Sequence, residues 1–404
     1  MTDLKTTTIL RRAAGVRLLI GADDQVRVHV GEQERDCGAH ALAILDVFSR
    51  PRPLAEALDE LRPRLTGMAD WVDLMASLER LYRLGALVDQ AGAPAPTAEK
   101  ARGVGALGLH VALLNDRRRT GAYLEAIAEV VKPGDVVVDL GSGTGILALA
   151  AARAGAAHVY AIESTAIGQV AQALFEANGL GDLITLLSGW STRQALPRPA
   201  DVLISEIIGN DPFAERILEF TRDAVRRMLR PGARLVPSRL RVYGVPVSIP
   251  PDQRARHTVT AEDAARWEQW YGLDFAPWYR QMLGTPYSVA VRPAKAKEWT
   301  ALGEPVLLAD VDLSAAFELF VDATAQVTTQ RAGRLDGLLI YFEAWLTESR
   351  VLSTAPANAD EDSSWMNPVW LMNEGLTLDA SERVRVTYRY GTGTAEHEVR
   401  IERA

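Results

Sequence analysis

The spacing of apolar residues divides the chain into three regions. In the first, Gln25–Val30 alternates between apolar and polar residues as a half-buried strand does, and Val16–Ile20 predicts its neighbour. Three stretches with helical spacing follow, and each predicts a short helix: Leu42–Phe48, Leu54–Leu65 and Trp71–Leu81. Two strands and three helices predict a small winged-helix domain over residues 1–90.

The second region has the pattern of a parallel sheet. Residues 91–105 are rich in Ala, Pro and Gly and predict a linker. Leu107–Val131 is predicted to be helical, and strands then alternate with helices from Val136 to about Leu235. That alternation is typical of parallel strands covered by helices, so we expect an α/β Rossmann-like domain over residues 106–237.

The third region, residues 238–404, changes to β-type patterns after Pro237. Strand-like segments include Leu240–Tyr243, Gly337–Leu346 and Val384–Tyr390, and Ala261–Leu283 interrupts them as a helical piece. We predict a β-barrel domain that carries a helical arm at about residues 255–285.

Composition and charge narrow the classes of function. Hydrophobic residues make up 48% of the 404 and charged residues 24%, and no apolar run reaches the length of a membrane span. Cys37 is the single cysteine, which fits a cytoplasmic protein, and the six histidines have no metal-ligand spacing, so no metal is expected. A net charge of −8 argues against nucleic acid as a partner.

A glycine-rich turn follows the first strand of the α/β region. Val136–Leu140 predicts a buried strand, Gly141, Gly143 and Gly145 follow it, and Ile146 begins a helix. Glycines let the backbone turn sharply and approach a ligand, with helix N–H groups directed at it. Asp139 and these glycines are therefore predicted to bind a nucleotide-like cofactor.

The cofactor is predicted to be S-adenosylmethionine. A dinucleotide fingerprint requires a glycine one position after Gly145, where the chain has Ile146. The second strand ends at Glu163, whose carboxylate can accept hydrogen bonds from both ribose hydroxyls. The alternative is that the glycines only form a tight turn and Glu163 is solvated.

Residues 107–395 resemble the protein arginine N-methyltransferases. Four blocks carry the resemblance: His110–Asp116 with Arg119, Thr120 and Tyr123; Asp139–Glu163; Ser205–Glu215; and Trp270–Asp274 with Leu352–Pro356. The resemblance implies that Arg119 holds the carboxylate of the cofactor's methionine moiety and that His110 lies beside it. The Trp270 segment resembles the arm through which these enzymes dimerise, so a homodimer is expected.

Ser205–Glu215 resembles the family's double-glutamate loop. Glu206 is predicted at the carboxyl end of the strand Ala200–Ser205, where ligands gather in open α/β sheets, and Glu215 on the returning helix. Two carboxylates can hold a guanidinium and localise its charge away from the attacking nitrogen, or they can hold an ammonium. The alternative for Glu215 is an exposed helix residue.

The chain departs from the family pattern at several positions. The segment before His110 lacks the family's paired aromatics, and neither Ser191 nor Thr192 is acidic where the family has an adenine-contacting acid. The family's threonine-histidine-tryptophan loop corresponds to Ser363–Trp365, so Ser364 stands in place of the histidine. Ser364 and Trp365 are the residues that would contact the substrate.

Residues 16–88 resemble the PqqD-like fold, a peptide-binding domain of ribosomal-peptide maturation enzymes. The resemblance rests on Val26–Val30, Ala39–Phe48 and Leu54–Leu87. It implies that a leader peptide adds a strand to the domain's edge. A winged helix used only for packing or dimerisation is the alternative.

These observations predict an S-adenosylmethionine-dependent N-methyltransferase that modifies a guanidinium or an amine of a peptide or protein. A ribosomally made precursor peptide, recruited by the first domain, is the favoured substrate. The alternatives are a general protein arginine methyltransferase and a non-catalytic module that binds the cofactor and a peptide.

Overall fold

The computed structural model describes residues 8–20, 26–30, 33–38, 40–65, 68–89, 107–284, 286–391 and 397–404. The chain divides into two compact units, residues 1–102 and 103–404. The predicted linker, residues 91–105, lies outside the described residues. Among those described, no helix has both the length and the apolar character that a bilayer-spanning segment needs.

The first unit contains two small antiparallel sheets and three helices. Its strands are β1 (Ile9–Arg12), β2 (Arg17–Ile20), β3 (Val26–Val30), β4 (Gln33–Asp36), β5 (Arg52–Pro53) and β6 (Leu87–Asp89), and its helices are α1 (Ala41–Val47), α2 (Leu54–Leu61) and α3 (Met68–Arg83). The sheets have the orders β5-β1-β6 and β2-β3-β4. The predicted strand pair and three helices are present, but Leu42 is 52% exposed because Ile44 and Leu45 form the buried face of α1.

The second unit begins with a parallel sheet. Its elements, in chain order, are α4 (Leu107–Asn115), α5 (Arg117–Val130), β7 (Val136–Leu140), α6 (Ile146–Arg153), β8 (His158–Glu163), α7 (Gly168–Ala177), β9 (Ile184–Ser188), β10 (Ala200–Ser205), α8 (Ile217–Arg227) and β11 (Leu229–Val236). The strand order is β11-β10-β7-β8-β9, and all neighbours pair in parallel. The carboxyl ends of β7, β8 and β10 therefore meet at one edge, as the sequence predicts.

The rest of the second unit is mostly antiparallel. Its elements are β12 (Arg239–Ser248), α9 (Pro251–Arg254), α10 (Ala261–Tyr271), α11 (Ala276–Gln281), β13 (Tyr287–Val291), α12 (Pro293–Ala296), β14 (Thr300–Ala301), β15 (Val306–Asp312), β16 (Val321–Thr328), β17 (Gly333–Trp345), β18 (Val351–Ser353), β19 (Asn367–Leu378), β20 (Arg383–Tyr390) and β21 (His397–Arg403). They form a seven-stranded sheet and the three-stranded sheet β16-β20-β21. The single helix predicted over 261–283 is two helices, because Gly272 ends α10 in a left-handed conformation.

The parallel and antiparallel parts of this unit share one hydrophobic core. The core runs from the valines of β7 through Phe213 and Ile217 to the buried residues of β17 and β20. Phe213 is fully buried, and its ring lies 5.3 Å from that of Tyr390. Burying a phenylalanine side chain stabilises a fold by about 2–3 kcal/mol. The loop that contains Phe213 is therefore held by both parts of the unit.

Candidate cofactor and acceptor site

The glycine-rich turn between β7 and α6 is left-handed at three positions. Gly141, Gly143 and Gly145 have φ values of 69°, 54° and 77°, a region that side-chain-bearing residues rarely adopt. A Cβ on Gly141 would lie 2.5 Å from Ile207 Cγ2, and one on Gly143 would lie 3.0 Å from His110 Cε1. The turn is thus enclosed by α4 on one side and by the loop after β10 on the other.

Glu163, at the end of β8, holds the turn through backbone contacts. Its Oε2 accepts a hydrogen bond of 2.9 Å from Gly143 N, and its Oε1 accepts one of 2.7 Å from Thr165 N. The side chain is buried, with 7% of the residue exposed. Each carboxylate oxygen has a second lone pair, so Glu163 can still accept hydrogen bonds from the hydroxyls of a ribose.

Asp139 lies beneath the turn and is completely buried. Burial raises the pKa of its carboxyl to about 7, and the nearby Glu163 charge adds to the increase. Neither carboxylate oxygen has a well-formed hydrogen bond among the described residues, although the Ala148 amide lies near enough to favour the ionised form. Asp139 is therefore a group that a bound ligand or a proton would stabilise.

Arg119 connects the helices before β7 to the loop after β10. The guanidinium is buried, forms an ion pair with Glu206 and donates from Nη1 to the Leu113 carbonyl at 3.3 Å. The ring of Trp365 lies 5.2 Å from its Cζ, within range of a cation–π contact. Burial lowers the pKa of Arg119, while nearby acidic groups, including Glu215, act in the opposite direction.

The residues around the turn fit S-adenosylmethionine. The buried Nε of Arg119 has no hydrogen-bond partner among the described residues, so it is available to a carboxylate. The absence of a Cβ at Gly141 and Gly143 lets Ile207 and His110 pack directly against the turn. Among the described residues, no group of three or more His, Cys, Asp and Glu side chains could hold a metal ion.

The double-glutamate loop, residues 206–216, corrects one prediction. Glu215 was expected on the returning helix, but α8 begins only at Ile217, after Arg216 with a φ of 63°. Glu215 is therefore a loop residue, and it is only partly exposed. Burial raises the pKa of its carboxyl, and the Arg119 charge partly offsets this. Glu206 and Glu215 both lie close to the Arg119 guanidinium.

The predicted substrate-contacting residues, Ser364 and Trp365, lie at this loop, but their polar groups form hydrogen bonds with other residues of the protein. Ser364 donates from its amide to Asp116 Oδ2 at 2.8 Å and from its hydroxyl at 2.9 Å. Trp365 is buried and donates from Nε1 to the Ile208 carbonyl at 2.8 Å. These two residues join the antiparallel part of the unit to α5 and to the double-glutamate loop.

Sequence reasoning missed several residues that organise the site. Asp116 caps α5 by accepting from Arg119 N at 2.9 Å, and it divides the single helix predicted over 107–131 into α4 and α5. Asn210 accepts from Met366 N at 2.8 Å, and Asp211 is contacted by Tyr388 and His397. No sequence signal links Asp211 to Tyr388, because 177 positions separate them.

Two family profiles match the second unit. One, described as ribosomal protein L11 methyltransferase (PrmA), covers residues 118–240, and the other, the arginine methyltransferase oligomerization subdomain, covers residues 256–398. An arginine N(omega)-methyltransferase of Streptomyces achromogenes is 30% identical over 280 residues, which is 68% of this chain and 73% of that protein. The chain belongs to the arginine N-methyltransferase family.

Other relatives of this family match over a smaller part of their length. A probable histone-arginine methyltransferase CARM1 of Oryza sativa is 31% identical over 283 residues, which is 67% of this chain and 52% of the rice protein. The chain thus spans about half the length of that relative.

Solved structures of the family have the same fold. The Trypanosoma brucei PRMT1 enzyme–prozyme heterotetrameric complex with AdoHcy aligns with a TM-score of 0.64 and 21% identity, covering 74% of this chain and 93% of that one. Arabidopsis thaliana protein arginine methyltransferase 10 aligns with a TM-score of 0.58 and 21% identity, covering 74% and 98%. The predicted family, the Rossmann-like domain followed by antiparallel β-structure, and the adenosylmethionine cofactor are confirmed.

Proposed function

We propose that this member of the family transfers a methyl group from S-adenosylmethionine to a guanidinium nitrogen of arginine in a protein. The observation that carries the proposal is that the loop after β10 supplies two acidic side chains, Glu206 and Glu215, near the buried guanidinium of Arg119, with which Glu206 forms an ion pair. The single Arg119 guanidinium balances the charge of only one of these two carboxylates, so a second guanidinium would balance the other.

The first half of the mechanism is cofactor binding. When bound, S-adenosylmethionine supplies a methyl group on a positively charged sulfur. Arg119 would hold the methionine carboxylate through its buried Nε, with His110 beside it and Glu163 at the ribose. Asp139 lies under the glycines and carries negative charge near the cofactor when it is ionised. These residues bind and orient the cofactor, and they also exclude water from it.

The second half is acceptor binding. Glu206 and Glu215 would grip the substrate guanidinium and draw its positive charge away from the attacking nitrogen. Glu206 would then exchange part of its contact with Arg119 for the substrate. Burial raises the pKa of Glu215, which makes it the better acceptor for the proton that the nitrogen loses. An amine could also be held, but it must lose a proton before it can attack.

The relatives favour a general protein arginine methyltransferase over an enzyme dedicated to precursor peptides. The rice relative is described as a probable histone-arginine methyltransferase, and the Streptomyces relative as an arginine N(omega)-methyltransferase. Neither description mentions a precursor peptide. We therefore put forward protein arginine as the substrate, and the peptide-maturation role remains a second candidate.

Methyl transfer from labelled S-adenosylmethionine tests the proposal. We expect label in arginine-rich protein or peptide acceptors, at arginine by mass spectrometry, and a loss of about 100-fold or more in Glu206→Gln, since one preorganised charge contributes on that order. The exposed Glu129→Gln is the matched control and should retain full activity. Full activity in Glu206→Gln would disprove the acceptor chemistry, and cofactor binding without transfer to any acceptor would favour a non-catalytic binding module.

One feature of the first unit supports the second candidate function, the methylation of a precursor peptide. Its sheet β2-β3-β4 has two outer strands, and β4 pairs only with β3 among the described strands. A peptide can add to such an edge through backbone hydrogen bonds. Deleting residues 1–90 should then weaken precursor binding by about tenfold or more while cofactor affinity stays constant. Unchanged precursor affinity would favour a packing or dimerisation role.

A homodimer is the proposed assembly. The helical arm exposes large apolar side chains at Trp270 (59%), Tyr271 (63%), Leu273 (62%) and Trp278 (49%). Exposed apolar clusters of this kind mark contact surfaces, and the oligomerization-subdomain profile covers the same segment. Sedimentation should give a dimer that the double variant Trp270→Asp, Leu273→Asp converts to monomer. A monomeric wild type would disprove the assembly.

A further inference from the structure

The double-glutamate loop is held by the antiparallel part of the second unit at three positions, Ile208, Asn210 and Asp211. The Ile208 carbonyl accepts from Trp365 Nε1, and Asn210 Oδ1 accepts from Met366 N, each at 2.8 Å. The third contact is made by Asp211. It differs from the first two because it reaches a separate sheet, β16-β20-β21.

Asp211 is enclosed by two side chains of that sheet. Tyr388 on β20 donates its hydroxyl to Asp211 Oδ1 at 3.2 Å, and His397 on β21 places Nε2 at 2.8 Å from the same oxygen. His397 Nε2 makes no well-aligned hydrogen bond to Asp211, so this contact is one of close packing. Only 15% of the Asp211 side chain and 14% of the His397 side chain are exposed, and Tyr388 is fully buried.

Tyr388 and His397 enclose the carboxylate of Asp211, a residue that lies between Glu206 and Glu215 in the sequence of the loop. Tyr388 keeps its proton because burial, followed by the Asp211 charge, raises its pKa well above 10. The phenol therefore remains a hydrogen-bond donor over the whole working pH range.

The position of Asp211 also determines that of Glu215. The amide of Ala214 donates to the Asp211 carbonyl at 3.0 Å, and that of Arg216 donates to the Phe213 carbonyl at 2.8 Å. These short-range bonds turn the chain back on itself directly after Asp211. A shift of Asp211 would therefore move Glu215, while Glu206 stays fixed at the end of β10 and by its pairing with Arg119.

We propose that Asp211, Tyr388 and His397 form a latch that positions Glu215 for the acceptor. In this role the three are positioning residues, and the sheet β16-β20-β21 acts on the acceptor site through them. The proposal rests on the proposed function for its kinetic consequence, but its structural consequence can be measured without any acceptor.

Hydrogen–deuterium exchange of the full chain tests the structural part. We expect Asp211→Ala, Tyr388→Phe and His397→Leu to speed exchange of the amides in residues 211–216 by about tenfold, with no change in the β7–α6 segment. Tyr390→Phe is the matched control: it lies on the same strand but donates to Glu219, outside the loop, and its ring contact is kept. Exchange in 211–216 that matches wild type in all three variants would overturn the latch.

Kinetics separate the latch from a purely structural role. In the same variants we expect the KM for an arginine-containing acceptor peptide to rise about tenfold, while the Kd for S-adenosylhomocysteine stays as in wild type. Asp211→Asn keeps an oxygen for the Tyr388 hydroxyl and should recover most of the loss. An unchanged acceptor KM overturns the positioning role. A wild type that methylates nothing would contradict the proposed function instead, and the exchange experiment would still decide the latch.

Discussion

The two halves of the site are built in different ways. The cofactor half, Asp139–Gly145 with Glu163, comes from consecutive strand, turn and strand segments of one sheet. The acceptor half, Glu206–Glu215 with Trp365, takes its shape from partners between 156 and 177 positions away. Arg119 belongs to both halves, since it pairs with Glu206 and presents Nε for a ligand.

This difference indicates where a substitution could change the specificity for the methyl acceptor. A cofactor half made of local hydrogen bonds and left-handed glycines tolerates little variation, because each element fixes the next. An acceptor half held by distant side chains can be altered one contact at a time. Here Ser364, which stands where the family has a histidine, donates to Asp116, and Asp211 makes a contact with a second sheet.

The largest expected effect is on the free energy of unfolding, and it comes from Asp139 in the cofactor half. Its folded pKa of about 7 lies above the value of 3.8 expected in the unfolded chain. The protonated form therefore stabilises the fold fully below pH 3.8, and this contribution is lost as pH rises through about 7. In the cofactor-free protein the free energy of unfolding should fall by about 4 kcal/mol as the pH rises from below 3.8 to above 7. About 2 kcal/mol of this decrease falls between about pH 5.5 and pH 8.

Asp139→Asn should abolish that dependence. Urea unfolding at the two pH values should show the wild type losing about 2 kcal/mol more than the variant, because the asparagine cannot ionise. Parallel losses in both proteins would mean that the carboxylate is already stabilised in the fold, and the account of Asp139 would be wrong.

The next effect concerns the turn itself. Gly145→Ala would place a Cβ 2.3 Å from Phe175 Cε1 at a residue whose φ is 77°. We expect about 2 kcal/mol of destabilisation, from overpacking together with left-handed strain. Gly134→Ala is the matched control, since its φ is 90° but nothing lies within 4 Å of the added carbon. Equal unfolding free energies for the two variants would show that packing against Phe175 contributes nothing.

The smallest effect concerns the residue shared by both halves. Arg119→Lys keeps the charge but loses the planar donor pair, so cofactor affinity should fall by about tenfold and the acceptor KM should also change. Arg117→Lys, an exposed neighbour on the same helix, should change neither quantity. Calorimetry measures the cofactor affinity, and steady-state rates measure the acceptor KM. A change confined to the acceptor KM would place Arg119 in the acceptor half alone.

The cofactor half could be predicted from the sequence because its signals are local. The buried valines, the spaced glycines and the acid at the end of the next strand all lie within the 28 residues from Val136 to Glu163, and the structure brings them together. Strand and helix periodicity likewise predicted the α/β sheet and the β-rich second half. Such patterns depend on burial and turn geometry, both of which neighbouring residues determine.

The conformation of the acceptor half could not be predicted from local sequence patterns. Glu215 is predicted on the returning helix, yet Arg216 adopts a left-handed conformation and the helix begins only at Ile217. The left-handed conformation of Arg216 fits a loop that is held by hydrogen bonds from Trp365, Met366 and Tyr388, which lie far along the chain. Tertiary contacts therefore overrode the local preference, and residues such as His397 could only be found from the structure.

Calorimetric titration of S-adenosylhomocysteine into the well-folded chain tests the central claim most directly. Binding should be saturable with one molecule per chain and about tenfold weaker in Glu163→Gln, which loses the charge that would meet the ribose. Absence of heat from protein that unfolds cooperatively, or identical binding by the Glu163 variant, would contradict it.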